Sequence, residues 1–168
     1  MERYDFIVEA EKAMGERLRT ARGLGAALAI ERANKLIQQQ AAPDLRELGL
    51  TYAGWQVLTI LSYARHQTLA AAKLAKRLGA HPTTITSTVD RLERDGLVTR
   101  ERAPHDRRLV LIALTEKGVE TERLATASRV RDSFGILELT DEEIAQLTQI
   151  LRKMRFAHGD LWQNERHP

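Results

Sequence analysis

One segment of the chain combines hydroxyl-bearing residues with arginines at helical spacing. Ile85, Val89 and Leu92 lie at positions i, i+4 and i+7, which predicts a helix that buries these three side chains. Hydroxyl groups near a helix start can donate to phosphates or base edges, and the N-terminal amides favour an anion. The pattern therefore predicts a helix that contacts nucleic acid. The predicted contact residues on its exposed side are Thr83, Thr84, Thr86, Ser87, Arg91 and Arg94.

The composition of this helix leaves a plainer alternative, an ordinary amphipathic helix with a threonine-rich exposed face. Threonine is a mediocre helix former, and three of the first five positions from Pro82 onward are threonines. Because helix propensity does not explain that choice, the sequence favours a face that approaches the major groove through Thr84, Thr86 and Ser87.

Two short helices separated by a glycine turn would position this face. Leu69 to Leu78 is predicted as the first helix. Pro82 suits the first position of the second helix because an N–H there would have no helical partner. Gly96 is placed to cap the end of the second helix. Such a pair directs its second helix into the major groove.

The hydrophobic period changes to that of strands near residue 97. Residues 97–102 and 109–114 are predicted as two short strands, joined by residues 103–108. A two-stranded hairpin directly after two short helices predicts a mainly α-helical winged helix-turn-helix fold.

The hairpin connection carries three charged residues, Asp106, Arg107 and Arg108. Either guanidinium group could enter a narrow minor groove, where the negative potential of DNA is focused. The alternative is a solvated turn with an incidental ion pair. Within a wing, the first interpretation is favoured.

Helical periodicity continues on both sides of the winged unit. Helices are predicted at roughly Tyr4–Ala21, at Ala26–Ala41 with Pro43 ending it, after Thr51, from Thr115 to about Asp132, and after a capping box at Thr140. Apolar stripes on the terminal helices would be costly to leave exposed, which predicts a homodimer. The stripes are Leu28, Ala29 and Leu36, and Ile144, Leu147, Leu151 and Met154.

Length and charge agree with one domain that meets an anionic partner. The chain has 168 residues with 43% hydrophobic residues and a net charge of +3. Residues 68–108 hold nine Lys and Arg against five Asp and Glu, so the basic excess lies in the winged segment. We predict a single domain of residues 1–168, with a DNA-binding lobe at 47–114 and a helical dimerisation region at 1–46 and 115–168.

Other kinds of site are not predicted. With no cysteine, the chain has no disulfide, thiol nucleophile or thiolate metal site. The histidines lack zinc-ligand spacing, and neither a glycine-rich phosphate loop nor a paired nucleophile and base is found, so we expect no metal, cofactor or catalytic residue. The absence of a signal peptide or a long apolar stretch favours a cytoplasmic protein without a membrane partner.

Several motifs together resemble the MarR family of transcriptional regulators. The resemblance runs from about Leu50 to Gly118, and its pieces have the order and spacing of that family. They are Leu50-Thr51, Trp55-Gln56-Val57-Leu58, Asp90-Arg91-Leu92-Glu93-Arg94-Asp95-Gly96-Leu97, Val98-Thr99-Arg100, Asp106-Arg107-Arg108 and Leu114-Thr115-Glu116-Lys117-Gly118.

The resemblance implies a function and several residue roles. It implies an obligate homodimer, with the terminal helices at the interface, that binds a palindromic operator in double-stranded DNA and is released by a small phenolic or other aromatic ligand. An aspartate in the family's wing buttresses the wing arginine, a pattern that Asp106 and Arg108 match. The family's pocket implies a ligand-lining role for Tyr52 and Trp55, although a tryptophan at helical spacing is more often a core residue.

Some alternatives remain open at this level. Ser87 stands where many members carry an arginine that reaches guanine, so base preference does not transfer to this chain. A winged-helix dimerisation or protein-interaction module that does not read DNA is the second functional class, and the wing arginines and local basic excess argue against it. An enzyme is not expected, because 168 residues leave no room for a catalytic partner domain.

Overall fold

The computed structural model describes residues 5–17, 23–103, 106–131, 136 and 138–160. Within those ranges the side chains at positions 11, 16, 17, 103, 106–108, 130 and 131 are not described. Contacts divide the chain into a first unit, residues 1–135, and a second unit, residues 136–168.

Helices dominate both units. The first unit carries α1 (Phe6–Arg17), α2 (Leu24–Glu47), α3 (Tyr52–Ser62), β1 (Thr68–Ala70), α4 (Ala71–Leu78), α5 (Pro82–Arg94), β2 (Val98–Ala103), β3 (Asp106–Leu114) and α6 (Glu116–Arg131), and the second carries α7 (Asp141–Ala157). The strands form an antiparallel sheet in the order β1-β3-β2. The predicted mainly helical winged helix-turn-helix fold is confirmed.

The core of the first unit gathers apolar side chains from its helices and sheet. The predicted inward stripe of α5, Ile85, Val89 and Leu92, is buried there. It joins a larger cluster that includes Leu45, Leu58, Leu61, Leu74, Val98 and Ile112. Because such burial accounts for most of the stability of a small helix, the stripe fixes which face of α5 remains exposed.

The turn between α4 and α5 forms as its residue types predict. Gly79 follows α4 in the left-handed region at φ +59°, where a side chain would be strained. Pro82 occupies the first turn of α5, and His81 precedes it as the N-cap. At the other end Gly96 has φ +72°, which ends the helix and turns the chain into the sheet.

Two of the predicted helix boundaries are wrong. Pro43 does not end α2 but lies inside it, because Ala41 and Leu45 on either side are fully buried and their packing outweighs the lost hydrogen bond. Leu69 begins no helix; it belongs to β1, where it pairs with Ile112. The winged unit therefore has three strands rather than the predicted two.

The start of α6 lies in close contact with the backbone that leads into β2. Thr115 caps α6 as predicted, since its Oγ1 accepts from the Gly118 N–H at 3.0 Å and donates to the Gly96 carbonyl at 2.7 Å. A Cβ atom at Gly118 would lie 2.0 Å from the carbonyl oxygen of Leu97. Only glycine therefore allows α6 to begin this close to the end of α5.

In its described residues the second unit carries one amphipathic helix, α7. The capping box predicted at its start is confirmed: the Thr140 side chain accepts from the Glu143 N–H, and the Glu143 carboxylate accepts from the Thr140 N–H. The hydrogen bonds that the Thr140 N–H and hydroxyl donate to the carboxylate lower the pKa of Glu143. No residue of α7 is buried, and its exposed apolar side chains include Leu147, Ile150 and Met154.

Candidate nucleic-acid interface

The hydroxyl-bearing residues of α5 lie together on its exposed face. Thr83, Thr84, Thr86 and Ser87 are all exposed, as expected from the buried stripe on the opposite side. The hydroxyl of Thr86 donates to the Pro82 carbonyl and that of Ser87 to the Thr84 carbonyl, each at 3.0 Å. Each hydroxyl thus donates within its own helix, and its oxygen can still accept from a base edge.

His81 organises the first turn of this helix. Its Nδ1 accepts from the Thr83 N–H at 3.3 Å and lies 3.0 Å from the Thr83 hydroxyl. Pro82 has no N–H, and the N–H groups of Thr84 and Ile85 both donate to the His81 carbonyl. The first-turn donors are therefore already used within the chain, and the positive end of the helix dipole is what favours an anion at the exposed start of α5.

The two arginines predicted to contact DNA from α5 are partly engaged by the protein. Arg91 donates to the Gly49 carbonyl at 3.2 Å, and its Nε lies 3.9 Å from the Asp95 carboxylate. Arg94 donates to the Asp90 carbonyl at 3.4 Å. Both side chains remain exposed near the end of the helix, and their contact with DNA stays a prediction.

Arg100 on β2 belongs to a motif quoted above but was not among the predicted contact residues. Its guanidinium lies 2.5 Å from the Asp90 carboxylate and 2.7 Å from that of Glu93, and it donates to the Thr86 carbonyl at 3.3 Å. The sequence did carry a signal for this contact: two acidic residues lie at i and i+3 on α5, and an arginine follows in the next strand.

The wing is the β2–β3 hairpin, and it is longer than predicted. Ala103 pairs with Asp106, so the strands extend into the segment expected to be a connection. Charged residues at the start of β3 hide the alternation that marks a strand. The backbones of Asp106, Arg107 and Arg108 lie in β3, whereas their side chains lie outside the described part of the chain. The Asp106–Arg108 buttress therefore stays a prediction.

A row of cations on α4 was also missed. Lys73, Lys76 and Arg77 are exposed on this helix at i, i+3 and i+4. In a helix-turn-helix the first helix crosses the DNA backbone while the second enters the groove. Their spacing on the helix before the glycine turn was the signal that could have made them candidate phosphate contacts.

The two aromatic residues predicted to line a ligand pocket lie at the contact between α3 and α6. Their rings meet edge to face with centroids 5.2 Å apart. Trp55 is buried and donates from Nε1 to the Thr126 hydroxyl at 3.2 Å. Burial raises the pKa of the Tyr52 phenol, and the Arg129 cation partly offsets that shift. Trp55 therefore has a clear core role, and a ligand contact by either residue stays a prediction.

A buried carboxylate completes this contact. Glu122 on α6 accepts from the Thr126 hydroxyl at 2.7 Å and from the Thr59 hydroxyl of α3 at 3.2 Å. Since Thr126 also accepts from the indole, one hydrogen-bonded chain joins the two helices.

Within the described ranges, no helix is long and apolar enough to cross a bilayer. Among the same residues no group of three or more His, Cys, Asp and Glu side chains could hold a metal ion.

Comparisons with known proteins agree with this geometry. The sequence pattern described as MarR family matches residues 50–110. The organic hydroperoxide resistance transcriptional regulator of Bacillus subtilis (strain 168) is 34% identical over 113 residues, which cover 67% of this chain and 75% of that protein.

Solved structures also match along most of the chain. The crystal structure of Sco5413, a MarR family transcriptional regulator from Streptomyces coelicolor, has a TM-score of 0.77 and 32% identity, covering 84% of this chain and 98% of that one. A mutant MarR from E. coli, complexed with operator DNA, has a TM-score of 0.67 and 27% identity, covering 76% and 91%.

Proposed function

The chain belongs to the MarR family of transcriptional regulators, and we propose that it represses its target genes by binding a palindromic operator as a homodimer. The observation that carries this proposal is the exposed hydroxyl-bearing face of α5, positioned by a buried stripe on the opposite side. The cations of α4 and the β2–β3 hairpin flank that face in sequence. Its relatives are transcriptional regulators rather than enzymes.

The proposal assigns DNA binding and dimerisation to two different regions of the chain. Residues 47–114 form the DNA-binding lobe, and residues 1–46 and 115–168 form the dimerisation region. The exposed apolar side chains of α1, α2 and α7 support the second assignment, since monomers rarely leave such faces open. A two-fold dimer presents two copies of α5, which matches a palindrome.

The proposed major-groove and minor-groove contacts make different predictions. Arg108→Ala removes a wing cation, so it should weaken binding to all sites, most at A·T-rich flanks, and flatten the salt slope by about one unit. Ser87→Ala should shift the preference among half-sites by about 1–3 kcal/mol and leave the salt slope unchanged. Fluorescence anisotropy with operator variants at several salt concentrations measures both effects. Equal salt slopes for the two variants would contradict this assignment of grooves.

The proposed buttress has its own test. Asp106→Ala should reproduce part of the Arg108→Ala defect, because the arginine loses its orientation, although the change also removes a negative charge near DNA. If Asp106→Ala binds operator more tightly than the unaltered protein does, Asp106 acts only by repulsion and the buttress is wrong.

A small aromatic acid is the proposed releasing ligand. The support is the aromatic pair of Tyr52 and Trp55 at the α3–α6 contact, which joins the proposed DNA-binding lobe to the dimerisation region. A ligand that shifts this contact changes the spacing of the lobes and weakens operator binding. Salicylate-like acids should quench tryptophan fluorescence and dissociate the DNA complex, with Trp55→Phe as the control for the signal. If no such acid does both, this choice of effector is wrong.

A further inference from the structure

Arg100 links the wing to α5 through three hydrogen bonds and an ion pair. Its guanidinium meets Thr86, Asp90 and Glu93, which follow one face of α5 at i, i+4 and i+7. Its backbone N–H also donates to the Glu93 carboxylate at 3.2 Å. Both oxygens of Glu93 are thus used by one residue of β2. A planar guanidinium can serve two carboxylates at once, which a lysine ammonium does less well.

The charges at this contact argue against a direct role of Arg100 on DNA. Its side chain is only 28% exposed, and two carboxylates neutralise its single charge. A phosphate approaching this group would meet Asp90 and Glu93 as well, and their repulsion would offset the attraction. The contact is therefore better suited to holding two protein elements together.

An open groove borders the contact between the wing and α5. It has a volume of about 730 Å³ and lies between α4, α5 and the sheet. Its apolar lining includes Ala72, Ala75, Ile85, Val89, Val110 and Ile112, and Asp90 and Arg100 also line it. Val98 and Ile112 of the hairpin join the buried stripe of α5 in the core. The polar contacts of Arg100 add a second link between hairpin and helix, at the open groove.

We propose that Arg100 is a positioning residue that fixes the angle between the wing and α5. This inference rests on the proposed function, because the angle matters when the two elements engage two grooves of one duplex. A fixed angle places the wing over the flanking minor groove when α5 occupies the major groove. Without the fixed angle, DNA binding has to order the hairpin, and the wing discriminates poorly between flanking sequences.

The first test requires no DNA. Amide hydrogen exchange of the full chain should show faster exchange in β2 and β3 for Arg100→Ala, by about tenfold or more, with α6 unchanged. Arg123→Ala is the matched control, because Arg123 forms a two-pronged ion pair with Glu120 on the exposed side of α6. Unchanged exchange in the wing, or an equal increase along the whole chain, would overturn the proposal.

The second test separates positioning from direct contact. Two operators are compared that differ only in having A·T-rich or G·C-rich flanks. For Arg100→Ala, the ratio of the Kd for the G·C-rich operator to the Kd for the A·T-rich operator should fall to about one, while the preference among half-sites persists. Arg123→Ala should keep both the flank preference and the half-site preference.

A variant that retains Arg100 completes the design. Asp90→Ala combined with Glu93→Ala releases the guanidinium but adds net positive charge. If Arg100 acts by positioning the wing, this double variant should lose the flank preference to the same extent as Arg100→Ala. Tighter binding with the flank preference intact would mean that Arg100 contacts phosphate itself, and the inference would fail. If the unaltered protein binds no operator, the proposed function fails, whereas the exchange experiment still decides whether Arg100 holds the wing.

Discussion

Replacing Gly118 with alanine should strongly destabilise the fold. The added Cβ would lie 2.0 Å from the Leu97 carbonyl oxygen, a contact with backbone that no side-chain rotation relieves. The start of α6 has to move away from the sheet, which breaks the bond from the Thr115 N–H to that same oxygen. We expect a loss of about 3 kcal/mol in the free energy of unfolding. For a chain of this size the Tm should fall by about 6–12 °C.

Gly15→Ala is the matched control for this prediction. Gly15 lies inside α1, and a Cβ there would meet nothing within 4 Å. Alanine should be neutral or raise the free energy of unfolding by about 0.5–1 kcal/mol, because it is the better helix former. Thermal unfolding followed by circular dichroism compares the two variants. A Gly118→Ala protein that unfolds at the unaltered temperature would show that α6 does not approach Leu97 this closely.

Placing two aspartates on the apolar face of α7 should disrupt the dimer. Leu147 and Leu151 lie on that face, and neither is buried within one chain. Two carboxylates in a dimer interface would lose their hydration without gaining partners. Leu147→Asp with Leu151→Asp should elute as monomer or aggregate on gel filtration. Its operator affinity should fall by about a hundredfold or more, since the half-sites are then bound independently.

The control for the dimer prediction adds the same charge elsewhere on the helix. Gln146→Asp with Gln149→Asp places two carboxylates on exposed positions away from the stripe. This variant should elute and bind as the unaltered protein does. If the leucine variant also elutes unchanged and well behaved, α7 does not form the interface.

Local patterns explain why much of the winged unit could be predicted from the sequence. The stripe of α5, the proline at its start and the glycine after its end each act within a few residues. The caps at Thr115 and Thr140 are equally local. Such features follow from steric and hydrogen-bonding rules that operate before any tertiary contact forms.

The parts that could not be predicted depend on partners far along the chain. β1 has three residues, too few to show a period, and it exists because Leu69 pairs with Ile112. Pro43 is tolerated inside α2 because neighbouring residues are buried. At the candidate site, the role of Arg100 emerges only when β2 is folded against α5.

The central claim is that this chain recognises operator DNA, and a salt titration with footprinting tests it most directly. The protein is bound to DNA from the region upstream of its own gene at increasing salt. We predict a protected palindrome with half-sites about one helical turn apart. The slope of log K against log salt should be about −5 to −9, as for a protein that makes six to ten phosphate contacts. No protected site, or equal affinity for unrelated DNA of the same length, would contradict the account.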